Sequence, residues 1–366
     1  MSVQIGYKKQ FLFGILFVLI ILLFVEILFR TYEYITIPCT IFENDAYSNL
    51  NYIEKKTLCY DTNTLVVGKA PLHHIFPNQY KFTIHINSDG FRGPEINIDD
   101  PSNYRIFLTG GSTAFGFGST SDKTTITGYL QTYFDNEYDD LNIEIINAAI
   151  FGADAYREIL FIKEKLIEYN PNMIISYTGA NDAGGHAREI ALAETVDNST
   201  INYFKFGSYP WYRTAFVINK LISQEDIGQW TKPESLSSEQ IKKFTETFRK
   251  NWSQSCNLLK DNEITSVLIV QPVLATKKSF SDFEKKTYTD YGFQKPLLEN
   301  YAKQLELLDE TCDYTFDFLN AIDYTSETIY TDNTHLNDLG NKIVAEKIYQ
   351  KILPIIKNDI QKLEIN

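Results

Sequence analysis

The sequence predicts an α/β protein whose core is a five-stranded parallel sheet covered by helices on both faces, preceded by an N-terminal transmembrane helix. Three observations carry that expectation. Short apolar runs recur at Arg105–Thr109, Asn142–Asn147, Met173–Tyr177 and Ser266–Val270, with a weaker fifth at Tyr314–Phe318. Helical patterns fill the gaps, at roughly 123–136, 155–168, 238–261, 295–310 and 337–356. Strands that alternate with helices form parallel sheets buried on both faces, because each crossover helix packs back on the sheet. The third observation is an unbroken apolar run near the N-terminus.

That run reads Phe11 to Val25, continues past Glu26 to Phe29 and stops at Arg30. A helix of this length spans about 28 Å, close to the hydrocarbon thickness of a bilayer. Glu26 falls toward the far interface, where a charge costs much less than at the midplane. No small-residue cleavage site follows, so an uncleaved signal-anchor is expected. Lys8 and Lys9 place the N-terminus in the cytoplasm and residues from 31 onward outside. Arg30, on the other side, works against that bias.

Residues 31–103 form an extension rich in Tyr and Asn, expected to pack on the α/β domain. Tyr80 to Ile86 alternates polar and apolar, the mark of a half-buried strand. Asn87-Ser88-Asp89-Gly90-Phe91-Arg92-Gly93-Pro94 is a dense turn segment. The expected division is therefore a stub and anchor over 1–30, the extension over 31–103, and the α/β domain over 104–366. An insertion at 183–237 interrupts the alternation directly after a strand-end loop, a place where lids and substrate walls occur, although a helical packing insert fits equally.

A net charge of −13 argues against nucleic acid as a partner, since neutralising phosphates needs clustered Lys and Arg. The four cysteines, Cys39, Cys59, Cys256 and Cys312, contain no C-x-x-C pair, which disfavours a zinc site. Their spread suggests Cys39–Cys59 and Cys256–Cys312 disulfides in an exported domain, or four buried thiols otherwise.

Ligands of parallel α/β sheets bind at the carboxyl ends of the strands. Three segments fall on that edge: Thr109-Gly110-Gly111-Ser112-Thr113, Phe151-Gly152-Ala153 and Thr178-Gly179-Ala180-Asn181-Asp182. Gln271-Pro272 and Asp332-Asn333-Thr334-His335 follow later strands. Acyl transfer needs a nucleophilic hydroxyl, a base, a group that orients the base, and donors for the oxyanion. Ser112 sits among small neighbours at a predicted helix start, where its hydroxyl stays exposed. His335 follows Asp332 by three residues, so both share one side of a turn and the carboxylate can fix the imidazole tautomer. The Ser112 N–H, the Gly152 N–H and the Asn181 side chain can donate to an oxyanion. Taken singly, each is better explained as a turn residue or a helix cap. Neither a phosphate loop nor the G-x-S-x-G elbow fits, because Phe117 and Ala114 stand where Lys and Gly are required.

Together these segments resemble the SGNH (GDSL-type) hydrolase superfamily: G-D-S, a second-block Gly, G-x-N-D and D-x-x-H, in that order. One departure is Gly111 in place of the Asp of G-D-S, a residue outside the triad. Asn87 to Gly93 also resembles a segment upstream of the catalytic domain in membrane-anchored bacterial members. The resemblance, over about 104–352, implies a flavodoxin-like three-layer α/β/α domain. It implies no metal or other cofactor, and esterase or acyl-transfer activity. The expected function is hydrolysis of an O-acyl, above all an O-acetyl, ester on an extracellular or cell-envelope glycan. Transfer of an acyl group onto an envelope polysaccharide by the same triad, and a catalytically inactive binding protein on this fold, are the alternatives.

Overall fold

The computed structural model describes residues 6–37, 39–68, 74–100, 103–137, 142–184 and 235–365. Two compact units are present, one of residues 1–39 and 198–228, the other of residues 40–197 and 229–366. Residues 185–234 of the expected 183–237 insertion lie outside the described residues.

The first unit holds α1 (Tyr7–Thr36), a helix long and apolar enough to cross a membrane, with a mean hydropathy of 3.1 in its most apolar stretch. Its one mid-run acid is compensated one turn later: Arg30 Nε donates to Glu26 Oε1 at 2.7 Å, so that end of the helix carries an ion pair rather than a lone charge.

The second unit opens with α2 (Tyr52–Asn63), started by a reciprocal cap between Asn51 and Glu54. The alternating stretch from Tyr80 to Ile86, expected as one strand, is instead a hairpin of β1 (Gln79–Tyr80) and β2 (His85–Ile86). Asp61 of α2 causes the fold-back, since its Oδ2 accepts from the Thr83 N–H at 2.7 Å and the Thr83 hydroxyl at 2.8 Å. Alternation reports only which faces side chains take, and a polar anchor from another segment overrides it.

The core sheet comprises β3 (Tyr104–Gly110), β4 (Ile143–Asn147), β5 (Met173–Thr178), β6 (Thr265–Val270) and β7 (Tyr314–Asp317). All neighbours are parallel, in the order β4-β3-β5-β6-β7, the flavodoxin-like winding in which the chain reverses direction beside β3. Among the described residues, seven helices follow the start of β3: α3 (Ser112–Phe115), α4 (Ile126–Glu137), α5 (Ala155–Glu164), α6 (Ser238–Asp261), α7 (Asp282–Thr287), α8 (Gln294–Leu308) and α9 (Asp338–Ile365). Strand alternation sorts the two faces. Ile106, Leu108, Ile175, Tyr177, Val267 and Ile269 pack with Leu130 and Phe134 of α4 and Val344, Ile348 and Ile352 of α9. Phe107, Ile146 and Ile174 face α5, and Leu268 and Val270 face α6 and α8. Burying both faces is what makes the strands read as continuous apolar runs.

The extension is tied into this core by the Asn87–Pro94 turn. Asn87 Oδ1 accepts the N–H groups of Asp89 and Phe91 at 3.0 and 2.9 Å. Gly90, at φ +85°, has no room for a side chain, because a Cβ would stand 2.7 Å from the Ile75 carbonyl oxygen. Phe91 packs edge-on against Phe107 and Phe161. The buried Arg92 donates to Asp122 at 2.8 Å, to the Phe115 and Gly116 carbonyls at 3.2 and 2.9 Å, and to the Thr83 carbonyl at 3.2 Å. Those carbonyls end α3, so Arg92 fixes the turn that leaves Ser112. Across the sheet, Cys256 of α6 is disulfide-bonded to Cys312, which precedes β7, as the spacing suggested. None of the four cysteines is a free thiol, which removes the buried-thiol alternative.

Candidate active site

Ser112, Gly152 and Asn181 leave the carboxyl ends of β3, β4 and β5, and the Asp332–His335 turn brings the fourth segment to the same edge. Ser112 Oγ lies 2.7 Å from His335 Nε2, and His335 Nδ1 lies 2.6 Å from Asp332 Oδ2. The second carboxylate oxygen, Asp332 Oδ1, accepts the N–H groups of Thr334 and His335, each at 2.8 Å. Burial raises the Asp332 carboxyl, but the bonds from His335 and Thr334 outweigh it and hold the group below the ordinary Asp range. An ionised Asp332 accepts from Nδ1–H, which leaves Nε2 as the acceptor facing the Ser112 hydroxyl. The exposed ring of Phe117 lies on His335 with centroids 4.7 Å apart, and Phe151 meets Phe117 edge-on at 6.0 Å.

The D-x-x-H turn is braced from several sides. Thr331 N–H donates to the His335 carbonyl at 2.9 Å and Leu274 N–H to the Asn333 carbonyl at 3.0 Å. Asn44 of the extension donates to the Thr331 carbonyl at 2.8 Å, and the Tyr47 hydroxyl to the Gly118 carbonyl at 2.9 Å. Beneath the turn, Lys277 and Glu284 form a fully buried ion pair at 2.6 Å. Glu284 also accepts from the N–H groups of Ile329 and Tyr330 at 2.9 and 3.1 Å, and Lys277 donates to the Glu327 carbonyl at 2.8 Å. A buried pair satisfied this fully holds its loop in one place. Gln271 is a brace rather than a group facing the reacting atoms: its N–H donates to the Thr178 carbonyl at 2.9 Å and its side chain reaches Thr113 at 3.4 Å.

On the donor side, Asn181 Nδ2 gives one hydrogen to the Ala153 carbonyl at 2.8 Å and keeps a second. Gly111 makes that placement possible, since a Cβ on residue 111 would stand 1.9 Å from Asn181 Nδ2. Gly152 sits at φ +66°, and its carbonyl accepts from Arg157 at 2.7 Å. Its N–H donates to no group among the described residues.

Two acids lie just below: Asp182, the last residue of the G-x-N-D segment, and Glu158, which no motif marks. Glu158 and Asp182 are both buried. Asp182 accepts the Ala155 N–H at 3.1 Å, and burial, with the charge of Asp154 adding to it, pushes its carboxyl up to about 7. Burial first, and Asp182 after it, raises Glu158 well above the usual carboxylate range despite its hydroxyl partners. Among the described residues no group of three or more His, Cys, Asp or Glu is arranged to hold a metal ion.

No protein-family model and no curated protein matches this sequence. Solved structures do. The acetyl xylan esterase AlAXEase has 17% identity and a TM-score of 0.43, with 68% of this chain and 99% of that chain covered. The psychrotrophic esterase EstA from Pseudoalteromonas sp. has 13% identity and a TM-score of 0.42, with 69% and 99% covered. A GDSL-like lipase from Bacteroides thetaiotaomicron has 12% identity and a TM-score of 0.39, with 69% and 89% covered.

Proposed function

We propose that this chain is a serine esterase that cleaves an O-acyl ester through an acyl-enzyme on Ser112. The observation that carries the reading is the continuous line of contacts from Ser112 Oγ to His335 Nε2 at 2.7 Å and from His335 Nδ1 to Asp332 Oδ2 at 2.6 Å. In this scheme His335 takes the Ser112 proton as Oγ attacks the ester carbonyl, and Asp332 stabilises the imidazolium. The Ser112 N–H, the Gly152 N–H and the second Asn181 hydrogen receive the oxyanion. His335 then protonates the leaving alcohol, and water, deprotonated by His335, releases the acid and restores Ser112.

The oxidised cysteines support an extracytoplasmic location, and α1 supports attachment to a membrane. An O-acetylated glycan is the substrate class that suits such a place. The test is hydrolysis of p-nitrophenyl acetate by the full chain in detergent, beside Ser112→Ala and His335→Ala. Loss of turnover in both variants with unchanged circular dichroism is the expected result. Full activity in Ser112→Ala defeats the mechanism. Acetylated product on an added sugar acceptor in place of free acetate reassigns the protein as an acyltransferase.

A further inference from the structure

The acid on the inner side of α5 has no place in the triad, yet it stands where all three oxyanion loops meet. Glu158 Oε1 accepts the Thr178 hydroxyl at 2.7 Å, and Thr178 ends β5 three residues before Asn181. Glu158 Oε2 lies 3.1 Å from the Thr109 hydroxyl, and Thr109 lies on β3 three residues before Ser112. Its own helix starts at Ala155, directly after the loop of Gly152, and Asp182 accepts the Ala155 N–H at 3.1 Å. Asn181 closes the ring by donating to the Ala153 carbonyl at 2.8 Å.

We propose that Glu158 is a positioning residue for the oxyanion site, joining the strand ends that carry Ser112 and Asn181 to the helix that follows Gly152. The inference rests on the esterase reading given above. Glu158 does this as a neutral acid. No cation hydrogen-bonds or ion-pairs with it among the described residues, and the charges that act on it, Asp182 and Asp154, are both acidic. A buried carboxylate in that company is disfavoured, whereas a protonated acid fits each contact. With Glu158 protonated, its O–H can donate across the 3.1 Å to Thr109 Oγ1, which leaves the Thr109 O–H for Ser176 Oγ at 3.1 Å, while the carbonyl oxygen accepts from Thr178. An amide can make the same bonds, and a methyl group can make none of them.

The experiment compares Glu158→Gln, Glu158→Ala and Thr178→Val with the parent and Ser112→Ala, each as full chain, well below its melting temperature. Glu158→Gln should keep kcat within about 3-fold, because it reproduces both contacts. Glu158→Ala and Thr178→Val should lose kcat by roughly 10²-fold with KM little changed, the cost of displacing oxyanion donors by about an ångström. In an Asn181→Ala background the Glu158→Ala loss should largely vanish. Infrared difference spectra of parent minus Glu158→Gln at pH 7 should show the carbonyl stretch of a protonated acid, a readout independent of turnover.

A folded Glu158→Ala with parental kcat overturns the proposal, as does Glu158→Gln being as impaired as Glu158→Ala, or a carboxylate band in place of the acid band. If Glu158→Ala does not fold, Thr178→Val with parental kcat overturns it instead. Activity that survives Ser112→Ala defeats the esterase reading itself, which separates the two failures.

Discussion

Replacing Gly111 by Ala separates catalysis from stability more sharply than removing a triad residue. Gly111 has φ −85° and ψ −157°, extended backbone that any residue adopts, so the substitution brings no backbone strain. Its new Cβ, however, would stand 1.9 Å from Asn181 Nδ2. Non-bonded heavy atoms settle near 3.5 Å, so the amide must retreat by roughly 1.5 Å. That movement breaks its 2.8 Å bond to the Ala153 carbonyl and takes the second hydrogen away from the oxyanion.

The folded state loses one hydrogen bond, worth about 1 kcal/mol. Part of this is offset by the 0.4–1 kcal/mol or so that Gly→Ala gains through a less disordered unfolded chain. On the proposed mechanism catalysis loses a donor, worth about 10²–10³ in kcat. The assay is steady-state hydrolysis of p-nitrophenyl acetate with a thermal melt on the same preparation. The expected signature is a large fall in kcat at nearly unchanged Tm, an equal fall in Asn181→Ala, and no further fall in the double variant. A Gly111→Ala protein with kcat within about 3-fold of the parent, or losses that simply add, refutes the placement of Asn181 as a donor.

Two other perturbations follow from the site and the core. Asp332→Asn should lower kcat by about 10⁴ by favouring the wrong His335 tautomer. Because the folded Asp332 carboxyl is held below its unfolded value, its stabilisation is present above the unfolded value and lost as pH falls through the folded one. The Tm gap between parent and Asp332→Asn should therefore close below about pH 4, and a gap that stays constant in acid shows that the carboxylate does not hold the turn. Opening Cys256–Cys312, which closes a separation of 56 residues, should cost up to about 4 kcal/mol of stability. It should leave kcat at room temperature unchanged, and a kcat that falls with the disulfide would show that the sheet edge, not only the far side of the fold, depends on it.

The five strands and most crossover helices are legible because burial on both faces makes short, unbroken apolar runs. The helix from Ser238 to Asp261 matches its sequence pattern at both ends. Strand order is not written in any local window, since β3 lies between β4 and β5 by long-range pairing alone. The meeting of Ser112, His335 and Asp332 is legible because Asp332 and His335 share one turn and Ser112 sits in a glycine-rich strand end. Glu158 is not, because a charged residue in a helical pattern reads as solvent-facing, and Lys277 and Glu284 lie in no segment that the sequence marks. Their burial follows from partners up to 50 positions away, as between Lys277 and Glu327 or Thr109 and Glu158. Arg92 was noticed only as part of a turn, and its reach to Asp122 and to the end of α3 comes from the fold.

The clamp of Asn44 on Thr331 has a bearing on how the protein is made. The two residues are 287 positions apart, so among the first parts of this unit to leave the ribosome are contacts completed by nearly the last. Loop closure over such a distance is slow relative to local helix and hairpin formation. Ser112, Gly152 and Asn181 can be in place while the chain still lacks His335. On the proposed mechanism the nascent polypeptide is therefore chemically silent, and competence arrives in one late event, when the Asp332–His335 turn docks against a surface that was synthesised first.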